Sequence, residues 1–400
     1  MERREYRERL RELSRRPGIK VLTGARRSGK SALLAMFAEE LHGEGVPPEH
    51  VITIDFDELH YEEALDYEAL HGYIEECLRQ GKKIYLFLDE LASAGEFERI
   101  VGSLYLNRKL DIYIATSRAG LVQKELATVL SGGYAELHVL PLSLSEYCKE
   151  CERGEKLSDA GRCRDYLRQG GLPGAVCLSG EENARLRREY LEGCLSSILL
   201  WDVAARWQFR DMGLMKSMLG FLCGHLGEAL SPAKIAAAMK ERGNVQSLSA
   251  HTVSDYLQAL EEAYLIYRVP RCDVRTRQVL QSTEKCYIVD PGFPDLLLGK
   301  NEPTEGMMEN LIYLELRRRG FRVCIGRAGT REISFFAVKK DPLYIQVATS
   351  RLLAKKLRPL QQIRDQYPKY ILTLEEGEET NYEGIHIVSA MDVLLRKYEL

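Results

Sequence analysis

Short apolar runs recur along the first third of the chain, and a helical pattern separates most of them. IKVLTG (19–24) is β-branched and stops at a glycine, so it reads as a buried parallel strand. VITIDFD (51–57), IYLFLDE (84–90), DIYIATS (111–117) and AELHVLPL (135–142) read as further strands. A helix runs from Gly29 to about His42. Strands alternating with helices predict an α/β domain on a parallel sheet. Residues 1–17 read as a short Arg/Glu helix with Glu5 and Arg9 at i, i+4 spacing, ended by Pro17-Gly18. From 143 to 215 the pattern is helical, broken by GGLPG (170–174). Residues 216–290 read as helix, turn, helix and two strands. The remainder returns to mixed α/β: helices over 305–319 and 352–366, with strands near 321–325, 331–338, 343–349, 369–374 and 384–388.

The chain has 400 residues, 45% hydrophobic and 29% charged, which fits a globular protein of two to four domains and excludes a disordered chain or a rod. The pattern changes place borders at 1–145, 146–215, 216–292 and 293–400. No apolar run reaches the length of a membrane span. MERREYRERL carries no apolar signal core, so the expected setting is cytoplasmic. A net charge of -3 excludes a globally basic nucleic-acid coat but not a local basic face. The ten cysteines are scattered, and free thiols are expected. Cys148 and Cys151, with Cys163 and Cys177 beyond, form a weak zinc pattern, because no second close pair follows.

The chemistry concentrates in Gly24-Ala25-Arg26-Arg27-Ser28-Gly29-Lys30-Ser31, a complete G-x-x-x-x-G-K-[ST] loop between a strand and a helix. Glycines let the backbone curl so that its N–H groups face phosphate oxygens, and the helix N-terminus at Ser31 and Ala32 adds positive potential. Lys30 is placed to reach the β- and γ-phosphates of ATP, and Ser31 to coordinate Mg²⁺. A second signal is the strand ending in Asp89-Glu90. Asp89 is expected to hold Mg²⁺ and Glu90 to orient the attacking water. Thr116 and Ser117, past the next strand, are candidates for sensing the γ-phosphate, with ordinary turn chemistry as the rival reading. No guanine-reading N/T-K-x-D motif occurs, which favours adenine.

The order Tyr6…Leu10, IKVLTGARRSGKS, VITIDFDEL, IYLFLDE, DIYIATSRAGL, ELATVLSGGYAELHVLPLSLSEY, GGLPG and YLQALEEAYLIYRVPR…EKCYIVDPG resembles a group of prokaryotic AAA-type P-loop ATPases. Members continue into a winged helix and end in a restriction-endonuclease-like domain of unknown function. The resemblance spans nearly the whole chain. It implies a P-loop core, a helical lid or linker, a winged helix and a nuclease-like terminal domain. Gly133 stands where the family often has an arginine, which leaves a homo-oligomer and a monomer both open.

In the winged-helix segment, Ser231-Pro232 opens one helix (232–242) and Ser249 caps a second (250–263) with Leu257, Leu260 and Tyr264 as its apolar stripe. The second helix presents Ser249, His251, Thr252 and Ser254, without Arg or Lys. The cations sit in the wing: Arg268, Arg271, Arg275, Arg277 and Lys285. Two readings stand, duplex DNA gripped through phosphates by the wing, and an internal packing module. In the terminal domain, Glu309 matches the helix carboxylate of the nuclease fold. Ser334 replaces its aspartate, Gln346-Val347-Ala348 lacks its lysine, and Glu332 is expected on the opposite strand face or one bulge away. A degenerate nuclease is expected. The functional reading is an Mg²⁺-dependent ATPase working as a nucleotide-driven switch, with a low-turnover nucleotide sensor and an ATP-coupled nuclease as alternatives.

Overall fold

The computed structural model describes residues 1–16, 18–57, 72, 74–76, 78, 83–91, 97–105, 107, 109–120, 133–151, 158–178, 180–241, 243, 248–299, 303–375 and 377–400. Two compact units emerge, residues 1–140 with 262–264, and residues 141–261 with 265–400.

The first unit is a five-stranded parallel sheet of β1 (Ile19–Thr23), β2 (Val51–Asp55), β3 (Ile84–Asp89), β4 (Leu110–Thr116) and β5 (Tyr134–His138), in the order β2-β3-β4-β1-β5. Each strand expected in this unit is present. Alternate side chains feed two cores. Ile19, Val21, Leu86, Leu88, Ile112 and Ile114 face one side. Leu22, Phe87, Tyr113 and Ala115 face the other, against Tyr6 and Leu10 of α1 (Arg4–Ser14) and Leu33, Leu34 and Phe37 of α2 (Lys30–Gly43). On α1, Arg4 pairs with Glu8 at 2.7 Å and Arg9 with Glu12 at 2.6 Å. Near the opposite end of the sheet from the phosphate loop, buried Lys20 on β1 pairs with Asp111 on β4. The order places β4 between β1 and β3, so the loop after β1 and the carboxylates ending β3 share the crevice at the strands' C-terminal edge.

The second unit opens with helices, among them Leu144–Cys151, Asp159–Gln169 and Ala184–Ser197. Helices Met212–Gly224, Pro232–Glu241 and Ala250–Glu262 follow. The short strand β6 (Ala229–Leu230) and the hairpin β7 (Ile266–Asp273) and β8 (Val279–Ile288) complete that segment. Beyond helix Glu305–Arg318 come β9 (Arg322–Ala328), β10 (Arg331–Val338), β11 (Pro342–Ala348), β12 (Lys369–Thr373), β13 (Thr380–Tyr382) and β14 (Ile385–Ser389). All nine strands form one sheet, β13-β14-β12-β11-β10-β9-β7-β8-β6. The hairpin is therefore built into a sheet, with β7 paired in parallel to β9. The pattern missed β6 and β13, which are too short to carry an alternation.

Two cysteines depart from the expectation of free thiols. Cys272 on β7 and Cys324 on β9 are joined by a disulfide, with Cα atoms 6.1 Å apart. They are 52 residues apart in sequence, and only the β7–β9 pairing brings them together. Burial pushes the Cys148 and Cys163 thiols up, to about 11 and about 12. Among the described residues no group of three or more His, Cys, Asp or Glu side chains is placed to hold a metal ion, and no helix is long and apolar enough to cross a membrane.

The GGLPG and DPG stretches meet each other. The Asp290 carboxylate is fully buried and accepts from the N–H of Gly171 at 2.8 Å and of Gly292 at 2.9 Å. A Cβ on Gly170, whose φ is +79°, would lie 2.3 Å from Asp290 Oδ1, so glycine is required there. Burial lifts the Asp290 carboxyl to about 6, although the N–H groups of Gly292, Gly171 and Leu172 favour its ionised form. Its pKa is thus higher folded than unfolded, where an aspartate titrates near ~3.9. The folded chain takes up the proton first as pH falls, so this group's contribution is greatest below pH ~4 and is lost as pH rises through about 6. The expected size is about 3 kcal/mol at most. Urea unfolding from pH 4 to 7 should show this slope in the difference between wild type and Asp290→Asn, and parallel curves would contradict it.

Candidate functional site

The turn after β1 has the backbone that a phosphate loop needs. Gly24, Arg27 and Gly29 have φ of +145°, +67° and +102°. A Cβ on Gly24 would meet the Val139 carbonyl oxygen at 2.2 Å, so only glycine fits. Ala25 is buried, and its carbonyl accepts from Ser28 N–H at 3.1 Å to tighten the loop. Arg26 pairs with Asp57 just past β2. Ser28 is buried, and its Oγ has no hydrogen-bond partner among the described residues. Gly29 precedes Lys30, the first residue of α2, while Arg27, Ser31 and Ala32 face outward. An orphaned buried hydroxyl and a lysine at a helix N-terminus are the features a bound phosphate would satisfy.

Lys30 itself is 3% exposed. Its Nζ donates to the carbonyls of Gly24 and Ala25, each at 3.1 Å, and lies 3.2 Å from Glu90 Oε1. Glu90 follows β3 with a φ of +47°. Its other oxygen accepts from both the N–H and the Oγ of Ser117, each at 3.0 Å. Burial alone would raise the Glu90 carboxyl. Lys30, Arg26 and the Ser117 N–H outweigh burial and hold it below the usual range. Asp89 shows the opposite balance. Burial and the charge of Glu90 raise it, and the Ser31 hydroxyl and Lys30 pull it only part-way back.

The sequence signals thus converge at one edge of the sheet, where the Ser117 N–H and hydroxyl meet the Glu90 carboxylate. Thr116 is fully buried, and its Oγ1 accepts from Arg118 N–H at 3.2 Å, the local turn chemistry set out as the rival reading. The Glu90–Ser117 pair follows from β3 lying beside β4 in register, with Leu88 opposite Ile114. No spacing within the sequence carries that adjacency. Asp89 and Ser31 bring hard oxygen donors together, the donor set that Mg²⁺ requires. The LATxLSG stretch lies outside the described residues.

In the second unit, Glu309 is held rather than open. Glu309 Oε1 accepts from Tyr287 OH at 2.7 Å and from Lys285 Nζ at 2.8 Å. Lys285 also lies 2.9 Å from Glu332 Oε1, and Arg271 Nη2 is 2.6 Å from Glu332 Oε2. A register shift between Ile333 and Phe336 on β10 accompanies the approach of Glu332 to the same ammonium as Glu309. Burial alone would lower Lys285, but Glu309 and Glu332 together raise it. Gln346 is used up as well. Its Oε1 accepts from Ser334 N–H and Oγ, and its Nε2 donates to the Glu332 carbonyl at 2.9 Å. Two other cations of the β7–β8 hairpin are engaged as well: Arg268 with Glu284 at 2.8 Å, and Arg277 with the Tyr367 hydroxyl at 3.4 Å.

Comparison with known proteins agrees with the first unit's geometry. Residues 16–148 match the AAA domain, and residues 161–304 match a domain of unknown function, DUF8612. An uncharacterized protein of Haemophilus influenzae is 33% identical over 392 residues, 94% of either chain. One of Methanocaldococcus jannaschii is 29% identical over 319 residues, covering 76% of this chain and 67% of that one. Among solved structures, a Walker-type ATPase of Pyrococcus abyssi shares the fold, with a TM-score of 0.54 at 17% identity over 74% of this chain and 95% of that chain. The chain belongs to the same family as the Haemophilus influenzae protein, and its residues 16–148 form an AAA domain.

Proposed function

We propose that this chain is an Mg²⁺-dependent ATPase that works as a nucleotide-driven switch. The observation that carries the reading is the placement of Lys30, Glu90 and Ser117 on one crevice, with Lys30 neutralised by Glu90. An incoming triphosphate offers Lys30 a stronger anionic partner than one carboxylate oxygen and two carbonyls. Lys30 then passes from Glu90 to the phosphate oxygens, and Glu90 is released to orient a water and accept its proton. Ser31 and Asp89 would hold Mg²⁺, which supplies charge neutralisation along the β- and γ-phosphates. The Ser117 hydroxyl and N–H set the resting position that Glu90 leaves.

That same resting position supports slow basal turnover. Glu90 is committed to Ser117 and Lys30 before nucleotide arrives, which favours the low-turnover sensor reading as the second one. ATP turnover should fall about 10²–10³-fold in Lys30→Ala, the loss expected when one transition-state donor is removed. Retained phosphate release in Lys30→Ala would sink both readings. Tight ATP binding by wild type with no phosphate release would select the sensor.

Residues 216–292 fit a winged helix, and residues 293–400 fit a nuclease-like fold whose metal centre has been replaced. Lys285 supplies, from within the chain, the positive charge that Glu309 and Glu332 would otherwise share with a metal ion. The engagement of Arg268, Arg271 and Lys285 with carboxylates leaves the wing less charge for gripping DNA phosphates. Lys285→Met would leave Glu309 buried without its cation and should destabilise the chain by about 3–5 kcal/mol. Adding Glu309→Gln should return part of that loss. Urea unfolding checks it, and a Lys285→Met variant as stable as wild type would contradict the internal cation.

A further inference from the structure

A second, separate site lies in residues 141–400. Helices Asp159–Gln169, Ala184–Ser197 and Gly292–Leu298 border a cavity of about 260 Å³. Arg168, Arg187 and Arg188 line it together with Asp295, which leaves two positive charges in excess. Arg187 is buried and fixed, its Nη1 donating to the carbonyls of Leu178 at 2.9 Å and Gly180 at 3.3 Å. Arg188 and Arg168 are exposed, and Arg188 makes one long bond, 3.3 Å, to the Leu296 carbonyl.

Asp295 is the unusual member. It is 8% exposed, yet its Oδ1 has no hydrogen-bond partner among the described residues. Burial raises its carboxyl, and Arg188 and Arg168 lower it only through space. A buried carboxylate oxygen without a donor costs about 1–3 kcal/mol or more, and Asp295 is among the residues that line the cavity, so a ligand there that donates to its carboxylate would offset that cost. The filling molecule must bring negative charge to the guanidiniums and hydroxyl or amine donors to Asp295. Phosphate oxygens match the guanidinium fork. A carboxylate accepting from sugar hydroxyls is an established way of holding a ribose. At about 260 Å³ the cavity lies just below the usual size of small-molecule pockets, which suits a compact ligand such as a sugar phosphate.

We propose that this cavity binds a pentose phosphate, with the phosphate on Arg168, Arg187 and Arg188 and a sugar hydroxyl donating to Asp295. The ligand is either a free sugar phosphate or the ribose phosphate of a nucleoside monophosphate whose base projects outward. Its residues are distinct from those of the phosphate loop, so the proposal stands apart from the ATPase reading.

Calorimetry on the full chain tests it, with ribose 5-phosphate, adenosine monophosphate, inorganic phosphate and ribose as probes. Wild type and Lys30→Ala should bind ribose 5-phosphate equally. An Arg168→Ser/Arg188→Ser variant should lose about tenfold or more in affinity, about 1.4 kcal/mol. Asp295→Asn should weaken ribose 5-phosphate by a similar factor and leave inorganic phosphate unchanged. In the Lys30→Ala background, tighter binding of adenosine monophosphate than of ribose 5-phosphate identifies the nucleotide as the source. Equal affinity identifies the free sugar phosphate. Unchanged melting temperatures confirm that the variants fold. No heat from ribose 5-phosphate or adenosine monophosphate at millimolar concentration overturns the proposal. So does binding that depends on Lys30, or binding indifferent to the arginines and to Asp295, which is filling by water or by ions alone.

Discussion

A buried ammonium must be answered by negative charge, and in the first unit that constraint falls on Lys30. Taking an ion out of water costs several kcal/mol unless a partner stands close. Here the partner is Glu90, at 3.2 Å, helped by two carbonyls of the loop that carries the lysine. The arrangement links the loop after β1 to the end of β3. Ser117, at the end of β4, holds the other oxygen of the same carboxylate. Three neighbouring strands are therefore coupled through one glutamate, and any anion that competes for Lys30 is felt at the end of β4.

The second unit shows the same physics put to a different use. Lys285 is buried between Glu309 and Glu332, and Glu315 is buried among Arg318, Arg319 and Arg396. These charges satisfy one another inside the chain. Asp290 meets the same requirement with backbone N–H groups in place of a cation. Asp295 stands apart because its environment leaves one oxygen without a donor.

Much of the first unit was legible in the sequence because its signals are local. The apolar runs at 19–24, 84–90 and 111–117 are buried on both faces of a parallel sheet, which makes them continuous rather than alternating. The glycines at 24 and 29 announce backbone angles that other residues resist. The part played by Ser117 was not legible, because it depends on which strand lies beside β3. The same holds for the disulfide between Cys272 and Cys324, for the meeting of Lys285 with Glu332, and for the docking of Asp290 against Gly170 and Gly171. Each needs a contact between distant residues that one sequence does not encode as spacing. The cations of the β7–β8 hairpin are the clearest case. As a string they look available to DNA, and in the fold Arg268, Arg271 and Lys285 are already paired.

The central claim is that Glu90 and a triphosphate compete for the Lys30 ammonium. Calorimetric titration of ATP·Mg²⁺ into wild type and Glu90→Gln tests this most directly. Removing the competing charge should tighten binding by about tenfold, the effect of about 1.4 kcal/mol, while phosphate release falls. Equal or weaker affinity in Glu90→Gln would show that the carboxylate does not hold the lysine, and the account of the resting state would fail.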